Sequence, residues 1–232
     1  TVSTSDLHIK NDLTVTAGTL TPAAGRTLTV LGDVDVTGTL NCDNGEAYSL
    51  GSLAIQSGGT YEATAGTTTI TGGGGGWAIN NVSNGTFTHN NGTVLLTDST
   101  ENWVNLDMGS GADNDPLKNL TISRATTSYD VFINDPLVVA GNLIITNSGL
   151  NTGNNNKALT VTGDVTIGDG SGSANTAEIL GRASAVEFGS LTIDSDGLYS
   201  ATSGTTTITG DDGGEAYKNN GTFTHNNGLL LF

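Results

Sequence analysis

Leu28–Val34 reads LTVLGDV, and Leu159–Val165 reads LTVTGDV. In both stretches hydrophobic and polar residues alternate on either side of a glycine, which is the pattern of two short β-strands that each bury one face. The near-identity of the two stretches indicates a long internal repeat. Short strands in a repeating chain are typical of a solenoid, in which successive coils stack on one another and share a narrow core.

Two further pairs of stretches support the repeat. Ala63–Gly72 (ATAGTTTITG) returns as Ala201–Gly210 (ATSGTTTITG), and Gly85–Gly92 (GTFTHNNG) returns unchanged as Gly221–Gly228. The offset between the copies changes slightly from one pair of stretches to the next, so the turns between strands tolerate small insertions.

These matches divide the chain into two long repeats. We predict a first repeat over residues 1–128, with an irregular loop at 97–116, and a second repeat over 129–232 that ends in mid-repeat. The loop assignment rests on an acidic, glycine-rich run that breaks the alternating pattern.

A shorter rhythm lies inside each copy. Leu53, Ile70 and Phe87 follow one another at equal intervals, and each is the centre of a short strand flanked by Gly, Asn or Asp. This spacing predicts coils of about 15 to 20 residues in an all-β, right-handed β-solenoid without helices. The alternation places the following aliphatic pairs inside the core: Leu28/Val30, Val34/Val36, Leu53/Ile55, Leu120/Ile122, Val131/Ile133, Leu143/Ile145, Val165/Ile167 and Leu191/Ile193.

The composition suits a thin core. Hydrophobic residues make up 35% of the 232 residues, and there are 34 glycines. Seven Lys and Arg residues against 23 Asp and Glu residues give a formal net charge of −16, which argues against nucleic acid and against membrane insertion. The same charge and low hydrophobicity would also fit a disordered chain, but disordered chains lack recurring β-branched triplets.

The string GTFTHNNGTVLL at Gly85–Leu96, followed by Asn119–Ile122 (NLTI), resembles repeats of very large bacterial surface proteins and of phage fibre-like proteins. The resemblance implies an extended β-solenoid in an extracellular adhesin stalk, appendage or viral fibre. Because the second copy stops in mid-repeat, we expect the segment to join end to end with further repeats or neighbouring subunits. Scattered cations and the absence of catalytic sequence motifs predict that it is not an enzyme.

The candidate metal ligands are Asp194 and Asp196 in the run Asp-Ser-Asp-Gly. Ca²⁺ needs six to eight oxygen ligands from a preformed loop, and this run supplies only a fragment of such a loop. Asp residues in turns more often accept hydrogen bonds from nearby main-chain amides. Calcium is therefore a weak hypothesis for these two residues, and we expect no other cofactor.

Catalysis by paired carboxylates is the enzymatic alternative, because a polysaccharide-cleaving solenoid needs acidic residues on adjacent coils. Asp33, Asp35 and Glu187 are candidates for such a pair. His89 and His225 occupy the same repeat position, and we expect them to stack or to cap a turn and not to bind zinc, since neither has a second ligand nearby in sequence.

Two binding functions remain open. Trp77 and Trp103 could stack on sugar rings, which leaves a carbohydrate-binding or carbohydrate-cleaving fibre module as the alternative to a purely structural shaft. Thr67–Thr71 and Thr205–Thr209 could belong to an ice-binding face, which requires Thr-x-Thr in register on consecutive coils. Threonine is also common on any exposed strand because it favours β-structure.

Overall fold

The structure is a computed structural model. It describes residues 2–3, 5–43, 45–72, 76–81, 85–97, 103–110, 114–124, 130–153, 156–172, 177–210 and 214–232. These residues form 25 β-strands and no helix, so the prediction of an all-β solenoid is confirmed. Within the described residues, no helix is long and apolar enough to cross a membrane.

The strands are short, and most span three to five residues. In chain order they are β1 (Val2–Ser3), β2 (Leu7–Ile9), β3 (Leu13–Val15), β4 (Thr19–Pro22), β5 (Leu28–Val36), β6 (Thr39–Asn41), β7 (Tyr48–Ile55), β8 (Thr60–Glu62), β9 (Thr67–Ile70), β10 (Trp77–Asn80), β11 (Thr86–Thr88), β12 (Thr93–Leu96), β13 (Val104–Asp107), β14 (Asn119–Ser123), β15 (Asp130–Ile133), β16 (Leu137–Val139), β17 (Leu143–Asn151), β18 (Leu159–Ile167), β19 (Ala177–Leu180), β20 (Val186–Ile193), β21 (Gly197–Ser200), β22 (Thr205–Ile208), β23 (Tyr217–Asn219), β24 (Thr222–Thr224) and β25 (Leu229–Leu231).

The strands lie on three faces of the solenoid, with one strand per face in most coils, and every pairing between coils is parallel. The long strands β5, β7, β17, β18 and β20 bend around a corner and therefore contribute to two faces. Face 1 consists of β2, the first halves of β5, β7 and β17, the second halves of β18 and β20, and β9, β12, β14 and β23. Face 2 consists of β3, the second halves of β5, β7 and β17, and β10, β13, β15, β19, β21 and β24. Face 3 consists of β1, β4, β6, β8, β11, β16, the first halves of β18 and β20, β22 and β25.

Face 3 is interrupted in the middle of the chain. β1, β4, β6, β8 and β11 form a sheet of their own, and the next described pairing on this face is a bridge from Leu117 to Val139. Pro116 stands at the interruption, and a proline has no N–H to donate to a strand ladder. Instead, the Asp115 carboxylate accepts a 2.6 Å hydrogen bond from the N–H of Phe87 in β11.

The core is a stack of inward side chains along the axis. All eight aliphatic pairs that the sequence placed inside are at most 1% exposed, so their assignment to the core is confirmed. Aromatic rings also join the stack, with centroid distances of 5.5 Å for Tyr61–Phe87 and 5.7 Å for Phe188–Tyr199. The handedness of the solenoid stays a prediction.

The predicted coil length fits some coils and is too short for others. Val34 pairs with Leu53 on the next coil, which agrees with the prediction, whereas Ser148 pairs with Ala177 across a clearly longer coil. The even spacing of Leu53, Ile70 and Phe87 does not mark successive coils. It connects three different faces, because Leu53 lies on face 2, Ile70 on face 1 and Phe87 on face 3.

The irregular loop predicted at 97–116 is wrong for part of that stretch. Val104–Asp107 forms β13, which pairs with β10 on one side and β15 on the other and continues face 2. Alternation is weak here because Val104 and Leu106 are only two hydrophobic residues, and tertiary pairing decides the strand. The predicted boundary at 128 and 129 lies outside the described residues.

The sequence repeat does not coincide with whole coils. Leu28–Val30 lies on face 1 and Val34 on face 2, whereas the matching Leu159–Val161 lies on face 3 and Val165 on face 1. Between the two copies the chain passes through 17 strand positions, counting the bridge at Leu117 as one, which is five coils and two further faces. Matching residues therefore lie one face apart around the axis.

Glycines at the corners let the coils approach closely. The corners of β5 and β18 read Gly-Asp-Val, and those of β7 and β20 read Gly-Ser-Leu. At these corners the main chain of one coil lies directly against that of the preceding coil. A β-carbon at Gly51 would stand 2.3 Å from the carbonyl oxygen of Gly32, and one at Gly189 would stand 2.3 Å from that of Thr162. No side chain fits in that space, which explains why these corners require glycine.

We expect Gly51→Ala to destabilise the chain by about 1–3 kcal/mol, because the new β-carbon forces the two coils apart. Urea unfolding followed by circular dichroism measures the change. The control is Gly58→Asn, at a turn with φ of +79° and no atom within 4 Å of a β-carbon. We expect it to cost about 0.5–1 kcal/mol, because asparagine adopts a positive φ more readily than other side chains and meets no steric clash. Equal stability of the two variants would contradict the proposed role of the corner.

Candidate functional site

Asp196, one of the two candidate calcium ligands, is fully buried in the turn between β20 and β21. Its Oδ1 accepts a 2.9 Å hydrogen bond from the N–H of Gly170, and its Oδ2 accepts one of 3.2 Å from the N–H of Asp169. Burial by itself raises the pKa of Asp196, but these hydrogen bonds outweigh it and lower the pKa. The carboxylate thus ties the loop after β18 to the next coil.

Asp194, the other candidate, is only partly buried and lies close to the same loop. A β-carbon at Gly168 would stand 2.5 Å from Oδ1 of Asp196 and 3.1 Å from the Cβ of Asp194, so the structure brings the two candidates to one place. No group of three or more His, Cys, Asp or Glu residues arranged to hold a metal ion occurs among the described residues. Calcium binding at these residues stays a prediction.

The two equivalent histidines cap equivalent turns, as the sequence predicts. Nδ1 of His89 accepts a 3.0 Å hydrogen bond from the N–H of Asn91, and Nδ1 of His225 accepts one of 3.3 Å from the N–H of Asn227. Both asparagines have a positive φ, at 63° and 62°, which asparagine tolerates better than most residues. The repeated histidine is therefore part of a turn motif.

The structure does not bring together the three carboxylates proposed for catalysis. Asp33 and Asp35 lie in β5, whereas Glu187 lies on face 3 in β20, between Thr160 and Thr207 of the neighbouring coils. Asp33 instead accepts a 2.7 Å hydrogen bond from the hydroxyl of Ser52 on the next coil.

Two other carboxylate pairs were missed by the sequence analysis. The first is Asp107 with Asp135, which contact each other across adjacent coils at the corner between faces 2 and 3. Burial raises the pKa of Asp107, and the neighbouring Asp135 raises it further. Lys157 on the next coil forms a 3.0 Å ion pair with Asp135, so one cation partly balances the two acids.

The second pair, Asp130 and Glu178, meets across an intervening coil. Gly149 pairs with both residues and has no side chain, so the two acidic side chains come together over it. A β-carbon at Gly149 would stand 2.6 Å from Oδ1 of Asp130 and 2.8 Å from Cγ of Glu178. Burial and the charge of Asp130 raise the pKa of Glu178, while Arg182 opposes the shift.

Both pairs are bound to neighbouring residues. Asp130 accepts a 2.8 Å hydrogen bond from the amide of Asn151, whose own oxygen accepts one of 3.2 Å from Nε of Arg182. Asp107 accepts a 2.9 Å hydrogen bond from the N–H of Gly109. The contacts of Asp130 and Asn151 connect successive coils, and that of Asp107 closes a local turn, so both are structural uses of the carboxylates.

Cys42, the only cysteine, is buried beside Tyr61 in the core. Burial raises the pKa of its thiol to about 12, so the thiol is protonated at neutral pH. A protonated, buried thiol is a poor nucleophile, and Cys42 behaves as a small hydrophobic residue of the core.

The two tryptophans lie near each other on the outside of face 2. Trp77 pairs with Asn105, and Asn105 pairs with Phe132, so two aromatic rings and an amide form a row across three coils. Trp103 is 58% exposed, and its indole lies over Gly76, where a β-carbon would stand 3.4 Å from Nε1. We call the row of Trp77, Asn105 and Phe132, together with Trp103, the aromatic row.

A shallow polar groove of about 290 Å³ lies at the C-terminal part of face 1. Its floor is fixed by a 2.7 Å hydrogen bond from the hydroxyl of Ser190 to Asp164. The lining residues are Asp164, Thr166, Ser190, Thr192, Glu215 and Lys218. The groove is open to solvent and is lined by both acidic and basic side chains. Neither its shape nor its charge indicates one class of ligand.

The threonine ladder required for ice binding is broken. Thr69 on face 1 has Ser49 on one neighbouring coil and Leu95 on the other. The matching strand of the second repeat, Thr205–Ile208, lies on face 3 and does not extend this ladder.

No protein-family model, curated protein or solved structure matches this chain.

We expect Asp196→Asn to destabilise the chain by about 1–3 kcal/mol, because the amide cannot accept both main-chain hydrogen bonds. Since the pKa of Asp196 is lowered by folding, its contribution is present above the ordinary pKa of 3.8 and disappears as the pH falls further through the folded value. The loss in the variant should therefore be seen at pH 7 and shrink under acid conditions.

Thermal melting of the parent, of Asp196→Asn and of the control Asp194→Asn, each with calcium and with chelator, measures this. We expect Asp194→Asn to change stability by less than about 0.5 kcal/mol. Equal melting of the two variants at pH 7 would contradict the role given to Asp196. A calcium-dependent stabilisation that is lost in both variants would support a metal site.

Proposed function

We propose that this chain is a structural segment of an extracellular shaft, in an adhesin stalk, a surface appendage or a viral fibre. In this proposal it acts by shape and by end-to-end joining with further repeats or neighbouring subunits, and not by catalysis.

The continuous parallel stacking of the coils carries the proposal. Face 1 alone contains ten strand segments joined in register from Leu7–Ile9 to Tyr217–Asn219. At a spacing of roughly 4.8 Å per coil, such a ladder keeps growing in one direction as repeats are added. A fold of this kind makes a long, stiff object from a short repeated sequence.

The charge of the chain fits an exposed rod. The net charge of −16 on 232 residues discourages lateral association between like molecules. The carboxylates that the structure brings together, such as Asp107 with Asp135, hold coils to one another and have Lys157 as a structural counter-ion. These contacts favour a mechanical role over an acid–base role.

Immunogold electron microscopy of the cells or virions that produce the protein tests the proposal. An antibody raised against the folded segment should label projecting fibres or stalks outside the cell envelope or capsid. Label confined to the cell interior would contradict the proposal. A control antibody against a cytoplasmic protein of the same cells shows whether the envelope has stayed intact.

Carbohydrate binding is the second candidate, and the aromatic row favours it. Exposed flat rings beside hydrogen-bonding amides suit the apolar faces and hydroxyl groups of sugar rings. Trp103 supplies an exposed ring, and Trp77 and Phe132 supply half-buried ones. Asn105 supplies an amide between Trp77 and Phe132. The nearby Asp130 is a hydrogen-bond acceptor on the coil of Phe132.

If the row binds a polysaccharide, Trp103→Ala should weaken binding by about tenfold, because it removes the most exposed ring. Affinity electrophoresis in gels that contain bacterial or plant polysaccharides measures the change. Leu31→Ala is the matched control, since Leu31 is also 58% exposed but lies at a corner of β5. Equal retardation of the parent and Trp103→Ala would rule out this site.

A further inference from the structure

The last coil of the chain exposes apolar side chains at its end. Leu229 is 56% exposed, Leu231 43% and Phe232 76%, and Phe223 and Leu230 are only partly buried. The rings of Tyr217 and Phe223 pack at 6.3 Å and those of Tyr217 and Phe232 at 6.1 Å, which makes a small aromatic cluster at the end of the core.

Three of these positions, those of Phe223, Leu230 and Phe232, are buried in the first repeat. The repeat aligns Phe223 with Phe87, Leu230 with Val94 and Phe232 with Leu96. Phe87, Val94 and Leu96 are 3%, 4% and 1% exposed. The difference therefore comes from what covers them in the first repeat.

The cover in the first repeat is the stretch from β13 to β14. β14 pairs with β12 over four residues, from Thr93 with Asn119 to Leu96 with Ile122. β13 pairs with β10, and the Asp115 carboxylate accepts the N–H of Phe87 in β11. All three strands of that coil thus receive a partner from the segment that follows.

The turns next to the uncovered coil match those of the covered one. Asn90 donates a 2.9 Å hydrogen bond to the carbonyl of Ala63, and Asn226 donates one of 2.7 Å to that of Ala201. A β-carbon at Gly92 would stand 2.0 Å from the carbonyl oxygen of Thr64. The corresponding distance from Gly228 to Thr202 is 2.1 Å.

A second set of contacts inside these coils is also shared. The hydroxyls of Tyr61 and Thr68 lie 3.1 Å apart, and those of Tyr199 and Thr206 lie 2.7 Å apart. The two environments are thus built alike although they lie one face apart around the axis.

We propose that the C-terminal coil is a docking surface for a second copy of residues 97–136, turned by one face relative to the copy in the first repeat. This proposal rests on the proposed shaft function and names the partner in its end-to-end joining. In the docked state the copy of β14 adds to β25 on face 3, and the copy of β13 adds to β23 on face 1. The copy of Asp115 then accepts the N–H of Phe223 in β24.

The one-face turn follows from the repeat length. Because 17 strand positions are not a multiple of three, each added repeat presents its corners a third of a turn away from those of the repeat before it. The original orientation returns only after three repeats.

The test appends residues 97–136 after Phe232 and follows hydrogen exchange of the amides in residues 222–232. We expect exchange to slow by about tenfold in the extended chain, because the end coil gains strands on its open side. The control carries Leu120→Asp and Ile122→Asp in the appended copy only, since both residues are fully buried in the first repeat. We expect the control to exchange like the parent.

Two results would overturn the proposal. One is unchanged exchange in the extended chain, or equal slowing in the control. The other is dimerisation of the unextended chain with residues 222–232 protected, measured by analytical ultracentrifugation, which would identify the N-terminal coil of another molecule as the occupant. Either result leaves the immunogold test of the shaft function unaffected.

Discussion

The close stacking of main chain on main chain at the corners is the constraint on which the rest of this structure depends. Parallel ladders join one coil to the next along each strand, and they form only if the corners between strands lie equally close. Gly51 and Gly189 make that possible, because any β-carbon would meet the preceding coil at 2.3 Å. The residue after each glycine then stabilises the corner, as Ser52 does by donating to Asp33.

The three faces are equivalent as environments for a strand and its corner. The stretch LTVLGDV bends from face 1 to face 2, whereas LTVTGDV bends from face 3 to face 1, with the same inward residues buried in both. The smallest structural unit within the long repeat is therefore one strand with its corner. Three such units make one coil. Insertions between strands lengthen one coil without disturbing the ladder, which explains why the coil from Ser148 to Ala177 is longer than the one from Val34 to Leu53.

The sequence predicts the inside of this protein better than its outside. Alternation identified pairs such as Leu143 and Ile145 correctly, because most inward positions of these strands are apolar. It could not predict which outward residues meet, because that depends on the variable length of each coil. Asp130 and Glu178 lie on either side of Gly149, with coils of unequal length between them. The sequence could not predict the row from Trp77 to Phe132 for the same reason.

The two repeats keep their corners and change some of their outward residues. The hydrogen bond from Ser52 to Asp33 returns as that from Ser190 to Asp164, both at 2.7 Å. At the outward positions that follow, Trp77 of the first repeat corresponds to Glu215 of the second. Under the proposed shaft function, the corners and the core are restricted and such outward positions are free to vary. Because the second copy is turned by one face relative to the first, matching outward positions of the two copies do not line up on one side of the solenoid.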